Sequence, residues 1–307
     1  MKRIWTGCFL ALLIPYVVTL AWSGSVRGEE RQTVMPSGRR ILFDQAGKGY
    51  MDAEEYLIGV VGRQMPPDYS LEALKAQAVA ARTYLYKKMG DSDEIEESEL
   101  GLTYYGESEL EKLWGSGKFV EYYEKIEKAV NETTGKVMTY DGEEIDALFH
   151  RASAGRTRAG DEYHPYLASV ESRRDVEAEN YMSVTTWSTE EFVGKLKSAN
   201  PEIELPSDQV WESIQLIEKE EAGYVKTMQI GNHIYTGEEI QMILGLPSSC
   251  FTLGEYEGKM RAVCQGIGHG YGLSQYGAKV MAEEGYTWEE ILSYYFKNVT
   301  VEDGGRV

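Results

Sequence analysis

From Asp52 to Tyr86 the apolar residues recur at helical spacing in two runs, split by Pro66 and Pro67. The first run places Tyr56, Leu57, Val60 and Val61 on one face, which predicts an amphipathic helix. Asp52, with Glu55 three residues on, reads as a capping box at its start. The prolines end it, because neither has a backbone N–H and each disfavours helical geometry in the residue before it. Ser70 reads as the N-cap of a second helix, with Glu72 in the first turn, where the helix dipole favours a negative charge. Ala73, Ala76, Ala78, Ala80 and Ala81 put small side chains around most of that helix. Such a helix is expected to be buried against close neighbours, so the polar residues set into it, Gln77, Arg82 and Thr83, should need interior partners. Arg63 and Gln64 stand just before the proline break, where a site can open onto a cleft.

Beyond this pair the pattern alternates between short strands and helices. Ile41, Leu42 and Phe43 predict a short strand, and the acidic run Asp91 to Glu99 a solvated loop. Glu121 to Val130 has helical periodicity. Lys136 to Tyr140 and Ile145 to Phe149 predict a hairpin about Asp141-Gly142, followed by a Ser-, Ala- and Gly-rich loop from His150 to Thr157. A helix over Glu190 to Ser198 begins at Ser188 or Thr189. Strand-like runs fill Gln209 to Ile234, with turns at Ala222-Gly223 and Gly231-Asn232. Thr236 caps a helix from Gly237 to Leu244 that Gly245 ends. Cys250 and Cys264 flank a hairpin turning near Tyr256 to Gly258, and Ser274 to Glu284 and Trp288 to Phe296 predict two closing helices. There is no internal repeat and no regular β-α-β alternation, so the fold class is α+β, with mixed helices and mainly antiparallel strands.

Composition narrows the partners. The 307 residues carry a formal net charge of −19, which opposes nucleic-acid binding, since phosphate backbones call for a basic face. A glycan would have to be held by hydrogen bonds and aromatic faces, for which 22 tyrosines provide material beyond core packing. At the N-terminus Lys2 and Arg3 precede an apolar run from Ile4 to Trp22, broken only by Thr6, Gly7, Pro15 and Thr19. That is a cleaved signal peptide or an uncleaved anchor, and its length favours an anchor with the rest of the chain outside the cytoplasm. The expected organisation is a signal or anchor over 1–28, a connector over 29–50 and one extracytoplasmic domain over 51–307. Cys250 and Cys264, at near-equal distances from their turn, are either a disulfide or two unpaired small apolar residues.

Candidate chemistry gathers in the glycine-flanked segments. In GHGYG, Gly268 to Gly272, the glycines permit positive φ and close backbone approach, leaving the His269 imidazole accessible beside Tyr271. A tight turn with His269 bonded to backbone is the plainer alternative. His150 and His164 bracket the RASAGRT loop, with Asp161 and Glu162 close by. Two histidines and a carboxylate could hold zinc, but no cysteine lies between Phe149 and Val170, and no cofactor is expected. Ser153 and His150 do not form a nucleophile–base pair, since nothing around them resembles a nucleophile elbow.

The blocks EEYLIGVVGRQMPP and LEALKAQAVAARTY, then ALFHRASAGRTRAG (Ala147 to Gly160), PYLASV (Pro165 to Val170) and GIGHGYGLSQYGAKVMAEEGYTWEEIL (Gly266 to Leu292), resemble in sequence and order the SpoIID/LytB family of cell-wall proteins. The resemblance runs from about Met51 to the C-terminus. It implies a role in sporulation at the cell wall, with peptidoglycan glycan strands as ligand and, by likeness to LytB-type members, a cell-wall amidase as partner. Sporulation members are linked to lytic transglycosylase chemistry. In it one carboxylic acid protonates the leaving oxygen of a muramic acid–glucosamine bond, then takes the proton of the sugar's own hydroxyl as an anhydro ring closes. That acid is the glutamate of a family "EMP" motif, and here the position is Gln64. An amide neither gives nor takes a proton near neutral pH, so activity is in doubt unless another carboxylate, such as Glu72, substitutes. The implied substrate-binding residues are Arg82, His150, Ser153, His269, Tyr271 and Gln275.

Overall fold

A computed structural model describes residues 34–43, 49–206 and 209–304. The N-terminal apolar run and much of the connector lie outside the described residues. The chain divides at Met35, and the account below concerns the unit that starts at Pro36.

Helix α1 spans Ala53–Gln64 and α2 Leu71–Met89. The start of α1 is not a capping box. Asp52 accepts from the Glu54 N–H at 2.9 Å, and its carboxylate also clamps Ser37 and Gly38. Glu55 stays exposed; with Asp52 already committed to the preceding chain, the reciprocal contact is not made. Helix α2 is enclosed by α1, by α5 (Ser116–Asn131), by the strand β4 (Lys136–Tyr140) and by the closing helices α8 (Gln275–Glu283) and α9 (Trp288–Tyr295). Its alanines are buried throughout, together with Leu74, Val79 and Leu85. Small side chains let the neighbouring backbones close in, which is why a helix of weak amphipathicity is central.

The three polar residues in α2 have the interior partners that their burial demands. Thr83 Oγ1 donates to Val79 O at 2.7 Å and accepts from the Met138 N–H at 2.9 Å. Arg82 grips Glu54 through two parallel bonds of 2.7 and 2.6 Å. Gln77 meets Gln64.

Around this centre the strands are short. β1 (Arg40–Leu42) runs antiparallel to β2 (Tyr50–Asp52) and parallel to β3 (Glu94–Glu96). The acidic run is therefore not a loop: Ile95 pairs with Ile41 while Glu94 faces water, and the short helix α3 (Glu97–Leu100) follows. A further helix, α4 (Glu107–Trp114), precedes α5. β4 lies between β5 (Glu143–Glu144) and β14 (Thr300–Asp303). The turn Asp141-Gly142 has positive φ at both residues (53° and 86°), as a two-residue hairpin requires. The expected return strand is short: beyond Glu144 one further bond, from the Ile145 N–H to Met138 O at 3.2 Å, joins it to β4, and the Asp146 N–H, on the other side, donates to the Tyr166 hydroxyl at 3.0 Å. Only Phe149–His150 (β6) is a strand, parallel to Leu273–Ser274 (β13).

The stretch 182–265 builds a second core on two antiparallel sheets. β8 (Ile214–Lys219), β9 (Val225–Ile230) and β10 (His233–Thr236) form one, and β7 (Met182–Trp187), β12 (Lys259–Gln265) and β11 (Phe251–Tyr256) the other. Trp187, Phe192, Ile230, Ile240, Phe251 and Met260 fill the space between them and helices α6 (Thr189–Ala199) and α7 (Gly237–Leu244). Ser188 and Thr236 cap those helices with Glu191 and Glu239. The cysteines are not bridged. Phe251 pairs with Cys264, so Cys250 is offset by one residue, and successive strand residues point to opposite faces. Both thiols are free and buried, with Cys250 Sγ 3.2 Å from Gly223 O and Cys264 Sγ 4.0 Å from Ser248 O. The architecture is α+β, mainly antiparallel.

Candidate functional site

Three helices meet at Gln64. The proline break ends α1 there, Gln77 faces it from α2, and Gln275 opens α8 behind the N-cap Ser274. Gln77 Nε2 donates to Gln64 Oε1 at 2.9 Å; Gln275 Nε2 lies 3.0 Å from Gln64 O and 3.2 Å from Gln77 Oε1. Gln77 and Gln275 are buried, whereas Gln64 is partly exposed. The C-terminal block and the first helical pair thus meet at a chain of three amides. Among the described residues no carboxylate hydrogen-bonds to these three amides.

Behind the α8 start lies a residue that the sequence pattern did not reveal. Asp175 is wholly buried and accepts from Ser153 N–H (2.7 Å), Ser153 Oγ (2.6 Å) and Ser274 Oγ (2.9 Å to each oxygen). Burial raises its pKa although the hydrogen bonds to Ser153 and Ser274 oppose the rise. Asp175 ties the RASAGRT loop to the cap of α8, and the Ser153 hydroxyl is spent on that tie.

The histidines form a neighbouring cluster along the β6–β13 pair. Gly270 and Gly272 both have positive φ (83° and 68°); a Cβ at the first would strike the Tyr224 ring and at the second the Leu148 carbonyl. Only glycine lets GHGYG lie this flat. His150 Nδ1 donates to Tyr271 O at 3.0 Å, and its buried Nε2 has no hydrogen-bond partner among the described residues. Burial, then the nearby His269, lowers the His150 pKa to about 3, so it is neutral. His269 accepts a bond from the Tyr271 N–H at 3.1 Å through Nδ1, and burial followed by Arg158 lowers its pKa too. This is the backbone-bonded turn rather than a free imidazole. Beneath it Arg158 is bound by Glu220 and Glu238 and packs on Tyr271 with its guanidinium carbon 4.3 Å from the ring centre. Beside Tyr271 opens a cleft of about 700 Å³, lined also by Leu148, Gly160, Asp161, His164 and Glu220.

Other anticipated residues lie away from these clusters. Arg82 is wholly buried: beyond Glu54 it reaches Thr133 Oγ1 and the carbonyls of Lys136 and Val130, so it is a scaffold residue and reaches no open surface. Glu72 holds Lys75 at 2.7 Å and accepts from the Trp288 N–H at 2.9 Å. His164 bonds Asp161 at 2.7 Å and stacks edge-on to Tyr166, in the cleft wall. Among the described residues no group of three or more metal-ligating side chains is found.

Residues 48–140 match the model of the stage II sporulation protein family, SpoIID. The chain is 34% identical to stage II sporulation protein D of Bacillus subtilis (strain 168) over 263 residues, covering 81% of this chain and 74% of that protein. To the protein of the same name from Bacillus amyloliquefaciens it is 32% identical over 271 residues, with the same coverage. A Bacillus subtilis protein named amidase enhancer is 27% identical over 297 residues, covering 80% of this chain and 40% of that protein. The chain belongs to the SpoIID family.

Proposed function

We propose that this protein binds the glycan strands of peptidoglycan in sporulation and cleaves them slowly or not at all. The observation that carries this is the amide at Gln64, at the junction of α1, α2 and α8, whose hydrogen bonds among the described residues run to other amides and to no carboxylate. Glu54 is locked to Arg82, Glu72 to Lys75 and the Trp288 N–H, and Glu55 is exposed in the first turn of α1. Without a titratable proton there, the roughly 10²–10⁴-fold contribution of general acid–base catalysis is missing. A glycan-binding surface needs only donors, acceptors and aromatic faces, and survives. The likeness to an amidase enhancer supports a second role, recruitment or stimulation of a cell-wall amidase. The apolar run after Lys2 and Arg3 supports an extracytoplasmic position, held at the membrane. None of the helices of the described residues is long and apolar enough to cross one.

The test uses the purified protein on glycan strands stripped of stem peptides, with products assayed for anhydro-muramic ends. The natural protein should bind and release few such ends, and Gln64→Glu should raise cleavage by about 10²-fold or more. Efficient cleavage that survives Gln64→Ala would overturn this reading and move the chemistry to another carboxylate.

A further inference from the structure

The three amides at the helix junction have only one consistent orientation, and it determines what Gln64 offers a ligand. The Gln64 main-chain carbonyl can only accept, so the Gln275 atom 3.0 Å from it is Nε2. That nitrogen lies 3.2 Å from one terminal atom of Gln77, which must then be Oε1. The other end of Gln77 is consequently Nε2, and the Gln64 atom that it meets at 2.9 Å is Oε1. By elimination the outer atom of Gln64 is its Nε2, and this nitrogen has no hydrogen-bond partner among the described residues. A backbone carbonyl thus sets the direction of a side chain two hydrogen bonds away.

We infer that Gln64 is a fixed hydrogen-bond donor that selects an acceptor oxygen on the bound strand, the acetamido carbonyl of an N-acetylated amino sugar. This rests on the glycan reading above and adds the chemical group recognised. Sugar hydroxyls both donate and accept, so a donor cannot discriminate among them. An acetamido group presents a carbonyl, whereas the same position after deacetylation presents an ammonium, which only donates.

The test compares binding of an N-acetylglucosamine hexamer with its fully deacetylated counterpart, by calorimetry at pH 5.5, where the amines of the second are protonated. The natural protein should prefer the acetylated hexamer by about tenfold or more. In Gln64→Glu one carboxylate oxygen keeps the Gln77 bond while the other faces outward as an acceptor, so the preference should fall by about tenfold. Gln77→Glu sharpens the point without touching Gln64: an ionised carboxylate on α2 only accepts, draws the Gln64 Nε2 inward and turns its Oε1 outward, with the same fall. Should that variant not fold, Gln64→Glu alone decides. Binding of both hexamers with a ratio that Gln64→Glu leaves within twofold overturns the donor assignment and spares the glycan reading. Binding of neither overturns both.

Discussion

Glu54 and Gln64 stand at opposite ends of α1, roughly 15 Å apart at helical rise, and both reach across to α2. At the first end the chain keeps a charge and closes it in. Arg82 and Glu54 are wholly buried, and Thr133 and two carbonyls use the remaining guanidinium donors. At the second end three amides bond to one another without an ion pair, and one donor is left facing outward. The two ends solve different problems. A buried ion pair is tolerable only when every donor and acceptor is used, which makes it a clamp that cannot serve a ligand. A neutral amide chain can be half open at little cost, and it can hold a side chain in one orientation for a partner that comes later.

The largest effect should come from opening the closed end. Arg82→Met leaves Glu54 buried without its partner, and the expected loss is about 3–5 kcal/mol of unfolding free energy in urea titration. Replacing both residues, Glu54→Leu with Arg82→Met, should recover much of that loss, because no unpaired charge remains. A single-variant loss under about 1 kcal/mol would mean that the clamp is not what holds α1 on α2.

A second test uses His150, which shares features of both ends: it is buried, yet its Nε2 has no partner among the described residues. Its pKa in the folded chain is about 3 against an ordinary value of 6.5. Above pH 6.5 the ring is neutral in both states and contributes nothing to the pH dependence. As pH falls below 6.5 the unfolded chain takes up a proton that the folded chain refuses, so stability is lost, at about 1.4 kcal/mol per pH unit. Between pH 7 and pH 5 this amounts to about 2 kcal/mol. His150→Asn keeps a donor for the Tyr271 carbonyl and should remove that slope, read from urea midpoints at the two pH values. Equal slopes in the two proteins would show that the ring is not held neutral.

How much of this was legible in the sequence differs between the two ends. The helical pair, its proline break and the need of Gln77, Arg82 and Thr83 for partners follow from spacing and from the cost of burying polar groups. The choice of partner does not: the same spacing would let Arg82 face a cleft, and only the antiparallel packing of α1 on α2 brings it to Glu54. Asp175 escaped because nothing local marks it; its role arises from Ser153 and Ser274, 22 and 99 residues away in sequence. Strand β7 escaped for another reason. Its inward positions include Ser183 and Thr185 while Met182 and Val184 face out, so the alternation that marks a strand is inverted. The cysteine hairpin was legible in its turn, but the choice between a disulfide and two free thiols was not, since a one-residue offset in register separates the two.

The smallest effect should be found at Gln64 itself, and its smallness is informative. Gln64→Ala removes the acceptor of the Gln77 Nε2 bond and leaves a buried donor unpaired, which costs about 1 kcal/mol, within the range for a single neutral group. Gln64→Glu restores an acceptor at the same place and should change stability by less than that, since the chain of amides is otherwise intact. Stability and function then separate at this residue: the substitution that barely moves the urea midpoint is the one expected to alter cleavage and ligand preference most. At Arg82 the order is reversed, because its side chain reaches no open surface and acts only through the packing of α1 on α2. If Gln64→Ala instead cost as much as Arg82→Met, Gln64 would be a second structural clamp. Its outward amide would then be a by-product of packing, and the contrast between the two ends of α1 would collapse.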